Sequence, residues 1–131
     1  MRPAKKILVV YDPRREMDAL SLSCALNTKR WGNSMAVSLP DLRRKKSAAG
    51  AFDAALILGD APCLRIIRTR YRGCAVLVKG DSVSMPWATR ADFLLPEIVS
   101  NAVVIERLRI LAMGRPGAPR GKQAVKKESA E

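Results

Sequence analysis

Five short apolar runs, separated by charged segments, constrain the fold of this chain more than any other feature. The runs are KILVV (6–10), MAVSL (35–39), AALIL (54–58), AVLV (75–78) and the weaker DFLL (92–95). Short continuous runs of leucine and β-branched residues are typical of strands buried on both faces, as in a parallel sheet.

The segments that lie between or after these runs have helical character. They begin at Pro13, Pro40, Pro62 and Pro96, and proline is favoured at the first position of a helix. We expect the first of them to end near Gly32-Asn33. Alternating strands and helices predict an α/β fold, with a five-stranded parallel sheet covered by helices on both faces. The short interval between Lys79 and Pro96 predicts that a fourth helix is shortened or absent.

The length and composition indicate one folded domain. The chain has 131 residues, of which 48% are hydrophobic, so one core can be buried without disulfides or metals. We expect the domain to cover residues 1–113 and a basic disordered tail to cover residues 114–131. No apolar run reaches the ~20 residues of a membrane span, and MRPAKK does not start a signal peptide. A cytoplasmic protein that does not bind membranes is predicted.

Several kinds of catalytic site are excluded by what the sequence lacks. There is no histidine, and the three cysteines (Cys24, Cys63 and Cys74) form no CxxC pair, which argues against zinc and excludes a Ser-His or Cys-His dyad. No glycine-rich phosphate-binding loop follows the first strand. We therefore expect a protein that is not an enzyme and that has no cofactor and no metal.

Four stretches resemble CheY-like receiver domains of two-component response regulators. They are KKILVVYDPRRE (5–16), FDAALILGDAP (52–62), AVLVKGD (75–81) and ADFLLPEIVSNAVVIERLRILA (91–112). The resemblance extends over roughly residues 5–113. It implies a flavodoxin-like fold with its chemistry at the carboxyl ends of the strands.

Active receivers need two acids that hold Mg²⁺, an aspartate that accepts the phosphoryl group, a serine or threonine, and a lysine before a proline. The resemblance places other residues at most of these positions. Tyr11 and Asp12 stand at the acid pair, Leu58 at the phosphoacceptor with Asp60 two residues further on, Lys79 at the serine or threonine, and Leu95 or Pro96 at the lysine. Only Asp12 keeps its type, which implies a degenerate receiver, a pseudo-receiver.

Asp12 has more than one interpretation. An aspartate before a proline is typical of a helix N-cap, and we favour this over a metal-ligand role. Weak residual Mg²⁺ binding by Asp12 with Asp60 is an alternative. A further hypothesis is an ion pair between Asp12 and Lys79, which would put a fixed positive charge near the place of the phosphoryl group.

The resemblance implies a phosphorylation-independent protein-interaction module, for docking or dimerisation, in bacterial signalling or regulation. Receivers use the face around the fourth helix, fifth strand and fifth helix for docking. Met85 and Trp87 lie in the corresponding segment and are candidate partner-binding residues, since such side chains are enriched at interface hot spots. Alternatively, Trp87 turns inward and fills the space of the missing helix. Expected partners are an acidic or signalling protein, or a second copy in a homodimer.

The net charge of +12, from 24 basic and 12 acidic residues, supports an alternative function. A nucleic-acid-binding regulatory protein would use the basic second and third helices, together with Lys122, Lys126 and Lys127 of the tail. The candidate polyanion-binding residues are Arg43, Arg44, Lys45, Lys46, Arg65, Arg68, Arg70 and Arg72. The few aromatic residues and the absence of a helix-turn-helix signature argue against it, and an acidic protein would suit the same charges.

Overall fold

The computed structural model of the chain describes residues 4–44, 51–59, 61–81 and 86–114. Five strands and four α-helices alternate within these ranges. The strands are β1 (Lys5–Tyr11), β2 (Gly32–Ser38), β3 (Ala54–Leu58), β4 (Ala75–Lys79) and β5 (Phe93–Leu95). The helices are α1 (Glu16–Asn27), α2 (Leu39–Arg43), α3 (Leu64–Arg70) and α4 (Asn101–Ala112). Two short 3-10 turns cover Pro13–Arg15 and Pro86–Arg90.

All five strands are parallel and lie in the order β2-β1-β3-β4-β5. The predicted flavodoxin-like sheet is therefore confirmed. The order reverses at β1, and this is where α/β sheets of this kind place their sites. In the register, Tyr11 lies opposite Leu58, Leu58 opposite Lys79, and Lys79 opposite Leu95. These four residues therefore form one row along the carboxyl edge of the sheet.

The sheet is covered on both faces because each central strand is apolar on both sides. Ile7 and Val9 of β1 belong to a cluster that includes residues of α1 and α4. Leu8 and Val10 face the other way, into a second cluster that includes residues of α2 and α3. All four side chains are fully buried. This double burial explains why the runs are continuously apolar instead of alternating.

The segment between β4 and β5 confirms that the helix expected there, the fourth helix of a receiver, is shortened. Within the described residues it contains only the 3-10 turn Pro86–Arg90. Ala88 is fully buried and Trp87, half-buried, packs against the second cluster. Met85 lies outside the described residues, as does the predicted tail from residue 115 onward.

Two predicted helix boundaries are wrong. Helix α4 begins at Asn101, after Ser100 as N-cap, and not at Pro96. Gly32 is the first residue of β2 and does not end a helix, because its backbone pairs with Lys5 of β1. No helix in the described part of the chain is long and apolar enough to cross a membrane.

Candidate functional site

The carboxyl edge of the sheet carries mostly apolar groups where receivers hold their chemistry. Leu58 is 2% exposed at the end of β3, and Tyr11 and Leu95 are also buried. Burial raises the pKa of the Tyr11 phenol above its ordinary value, so Tyr11 is neutral at physiological pH. Lys79 is half-buried between Leu58 and Leu95 in the register. None of these four residues can accept a phosphoryl group as an aspartate does.

Asp12 is the N-cap of the 3-10 turn Pro13–Arg15. Its carboxylate accepts hydrogen bonds from the backbone nitrogen of Arg14 at 2.9 Å and from Nε of Arg14 at 3.1 Å. The backbone hydrogen bond, followed by the side-chain one, holds the pKa of Asp12 below its ordinary value. The sequence signal for a cap therefore corresponds to a cap in the structure.

The hypothesis of an ion pair between Asp12 and Lys79 is wrong within the described residues. The ion-pair partner of the Asp12 carboxylate is Arg14. Lys79 makes no ion pair with any carboxylate in the described ranges. The reason is local, because Arg14 is two residues from Asp12 and its backbone already fixes the direction of the carboxylate.

A different cation, Arg15, lies across this edge of the sheet. Its Nη2 is 2.6 Å from Oε2 of Glu97, and its Nε is 3.1 Å from Oδ2 of Asp18. The side chain is 22% exposed. A Cβ atom built on Gly59, the residue after β3, would collide with Nη1 of Arg15. A paired guanidinium therefore covers the end of the strand to which the resemblance assigns the phosphoacceptor.

Among the described residues, the side chains at this edge do not fit the Mg²⁺ that the resemblance implies. Of the described residues at the family's metal and phosphoryl positions, Asp12 is the one carboxylate, and the Arg15 guanidinium lies at the same edge. Magnesium prefers several oxygen ligands and water in an octahedral arrangement. The described ranges contain no group of three or more side chains suited to a metal ion. Asp60 lies outside the described residues.

A shallow cleft of about 410 Å³ opens beside the Arg15–Glu97 pair. It is lined by Gly80, Asp81, Leu94, Pro96, Glu97 and Ile98. Ile98 is 91% exposed, the most exposed large apolar side chain in the described part of the chain. Arg15, Glu97 and Ile98 were not predicted as site residues. Arg15 and Glu97 are far apart in the sequence and are brought together by the fold.

The predicted basic face is partly used to hold the fold together. Nη1 of Arg70 donates to the carbonyl oxygen of Leu42 at 2.8 Å, which brings α2 and α3 together. Arg68 lies 3.6 Å from a carboxylate oxygen of Asp92, and Arg44 pairs with Asp41. Three predicted cations are exposed and have no ion-pair partner among the described residues: Arg43, Arg65 and Arg72. Lys45 and Lys46 lie outside the described residues.

The parallel strand order β2-β1-β3-β4-β5 is that of the receiver-domain fold, and solved receiver structures are similar. The signal receiver domain of the response regulator NarL from Mycobacterium tuberculosis is similar, with a TM-score of 0.62 and 17% identity over 86% of this chain and 100% of that chain. The adenylate cyclase structure from Rhodopirellula baltica has a TM-score of 0.69 and 11% identity over 98% of this chain and 97% of that one. The response regulator ChrA of a heme-sensing two-component system has a TM-score of 0.59 and 14% identity over 98% and 67% of the two chains.

No protein-family model matches the chain, and no curated protein matches it either. At such low identities the likeness to solved structures is a likeness of fold. It confirms the receiver fold that the sequence predicted.

Proposed function

We propose that this protein is a phosphorylation-independent pseudo-receiver, which serves bacterial signalling or regulation by docking onto another protein. The observation that supports this most is the position of Arg15. Its guanidinium covers Gly59 and pairs with Asp18 and Glu97 at the edge where a phosphoryl group and a metal ion would bind.

The chemistry of phosphoryl transfer explains why this position matters. The reaction needs a carboxylate nucleophile, a metal ion held by oxygens, and a cation for the developing charge. Here the nucleophile position is the buried Leu58, and the cation is present permanently as Arg15. A cation that is held by two carboxylates favours a single conformation of this edge. A receiver that can be phosphorylated switches between two.

The docking surface that we propose is the cleft around Ile98. The Arg15–Glu97 ion pair anchors the loop between β5 and α4, and Ile98 follows Glu97 directly. An apolar side chain on an anchored loop loses little conformational freedom when a partner covers it. The partner would place an apolar side chain against Leu94, Pro96 and Ile98.

The loss of phosphorylation is tested with a phosphoryl donor and a phosphoryl mimic. The full chain is incubated with Mg²⁺ and acetyl phosphate and followed by intact mass, and Mg²⁺ with beryllofluoride is titrated by NMR. We expect no covalent adduct and no shifts at Asp12, Leu58 or Gly59. An adduct, or shifts confined to these residues, would mean that an aspartate accepts the phosphoryl group, and the proposal would fail.

The docking surface is tested with a matched pair of variants. A photo-crosslinking side chain is placed at position 101, an exposed residue three positions after Ile98, in cells that produce the full chain. We expect a crosslinked protein that is lost in Ile98→Asp and kept in Met17→Asp, because Met17 is also exposed (79%) but lies on α1. The purified pair should then bind with the same dependence on Ile98. Crosslinking to a second copy would make the module a homodimer, and equal effects of both variants would contradict docking at this cleft.

A further inference from the structure

Most acidic side chains of the described residues lie at one edge of the sheet, and a group of cations without carboxylate partners lies at the other. In a parallel sheet every strand begins at one edge, the amino edge, and every helix leads back to it. Most described acidic residues lie at the opposite, carboxyl edge or in the helix turns that begin there. They are Asp12, Glu16, Asp18, Asp41, Asp81 and Glu97.

The two described acidic residues at the amino edge accept hydrogen bonds from backbone nitrogens. Oδ2 of Asp53 accepts from the backbone nitrogen of Lys6 at 2.8 Å. Oδ2 of Asp92 accepts from the backbone nitrogen of Val76 at 2.7 Å and lies 3.6 Å from Arg68. Both side chains therefore fix strand starts, and neither forms an ion pair with any of the remaining cations of this edge.

Six of those cations have no ion-pair partner among the described residues. We call them the edge cations: Lys5, Lys6, Lys29, Arg30, Arg72 and Arg90. All are exposed except Lys5, which is half-buried. They begin β1 or lie just before β2, β4 and β5, so they follow the width of the sheet. Four strand spacings make this edge about 19 Å wide.

We propose that the edge cations form a binding surface for the phosphate backbone of double-stranded nucleic acid. Duplex DNA carries one negative charge per ~1.7 Å of axis, so about ten phosphates lie within the width of this edge. Contacts of this kind hold the backbone and do not read sequence. This inference is independent of the proposed docking at Ile98, which lies at the opposite edge.

The aromatic residues at the amino edge favour a duplex over single strands. Binding of single strands relies on bases that stack on exposed aromatic rings. Here Phe52 and Tyr71 pack against each other edge to face, with ring centroids 5.1 Å apart, and Trp31 packs against the first cluster. Membrane insertion relies on exposed apolar side chains, and none of the exposed large apolar side chains among the described residues lies in the loops of this edge.

The experiment compares two double variants of the full chain that lose the same charge. Arg30→Gln with Arg72→Gln removes two edge cations. Arg43→Gln with Arg65→Gln removes two exposed cations of α2 and α3 that have no ion-pair partner among the described residues. Binding to a short fluorescein-labelled DNA duplex of arbitrary sequence is measured by anisotropy between about 50 and 200 mM salt.

We expect the edge variant to weaken binding by more than about tenfold and to reduce the slope of log K against log salt by about 1.8, since each lost phosphate contact contributes about 0.9. The helix variant should change the affinity less than about twofold. Equal effects of the two variants, or a larger effect of the helix variant, would overturn the proposal. So would the absence of binding at the lowest salt, or equally tight binding of polyglutamate, which would indicate an acidic protein instead.

Discussion

Nη2 of Arg15 lies 2.6 Å from Oε2 of Glu97, and the two residues are 82 positions apart in the sequence. The pair joins the turn after β1 to the loop after β5, and it passes over the end of β3 at Gly59. It therefore connects the edge of the sheet where receivers bind a phosphoryl group with the loop that we propose as a docking surface.

Gly59→Ala is expected to lower the free energy of unfolding by about 1–2 kcal/mol. The backbone φ of Gly59 is +55°, a value that residues with a side chain rarely adopt. The substitution should also displace Arg15, whose Nη1 occupies the place of the new methyl group. Urea denaturation of Gly59→Ala in the wild-type and Arg15→Ala backgrounds measures this second effect, which should be absent without Arg15.

Gly73→Ala is the control for this comparison. Gly73 also has a positive φ, +81°, but a Cβ atom there would meet nothing within 4 Å. Gly73→Ala should lower the free energy of unfolding by the same amount in the wild-type and Arg15→Ala backgrounds. If Gly59→Ala behaved in the same way, Arg15 would not lie over Gly59.

The Asp12 cap should make stability depend on pH. The pKa of Asp12 is lowered in the folded chain by the hydrogen bonds from Arg14, so its contribution is present above the ordinary aspartate pKa of about 4 and is lost as the pH falls through the lowered value. Wild type should unfold at a higher urea concentration than Asp12→Asn at neutral pH, and the difference should shrink below about pH 4. A difference that is constant with pH would contradict this assignment.

The three cysteines should differ in reactivity. Cys24 is exposed, while Cys63 and Cys74 are buried, and burial raises the pKa of the Cys63 thiol to about 12. A disulfide reagent at mildly alkaline pH should therefore modify one thiol in the native protein and all three after denaturation. The native reaction should vanish in Cys24→Ser. A remaining fast reaction in that variant would show that a buried thiol is accessible.

Trp87→Ala should lower the free energy of unfolding by about 2 kcal/mol, since the ring packs against the second cluster and loses that burial. Chemical denaturation measures the change, and Ile98→Ala, which removes an exposed side chain, should leave stability nearly unchanged. If the two variants were equally stable, Trp87 would be a surface residue available to a partner, as its prediction as a partner-binding residue held.

The strands could be predicted because burial on both faces leaves a continuous apolar run, as in residues 54–58. The cap at Asp12 could be predicted because a cap needs only its next few residues. Pro96 misled the helix prediction. Proline is also compatible with a loop, and here the N-cap is Ser100, whose hydroxyl accepts from the backbone nitrogen of Val103.

Long-range relationships could not be predicted in the same way. No local pattern links Arg15 to Gly59 and Glu97, because they become neighbours only when β1, β3 and β5 align their carboxyl ends. The edge cations are also far apart in the sequence. They occur singly or in pairs such as Lys29-Arg30, so they form no dense basic run. Dense runs indicated α2 and α3, but Arg68 and Arg70 of α3 donate hydrogen bonds to the carbonyl oxygens of Arg90 and Leu42.

The two edges of the sheet differ in how their cations are held. At the carboxyl edge Arg14 and Arg15 are paired with carboxylates, whereas the edge cations have no carboxylate partner among the described residues, so a polyanion would be drawn to the amino edge before contact is made. The carboxyl edge carries the cleft with Ile98. A bound duplex would therefore leave the cleft pointing outward, roughly one strand length (about 20 Å) from the phosphates. In that geometry, a protein held at the cleft and a nucleic acid held at the other end do not compete for space, and this small domain would work as a bridge between them.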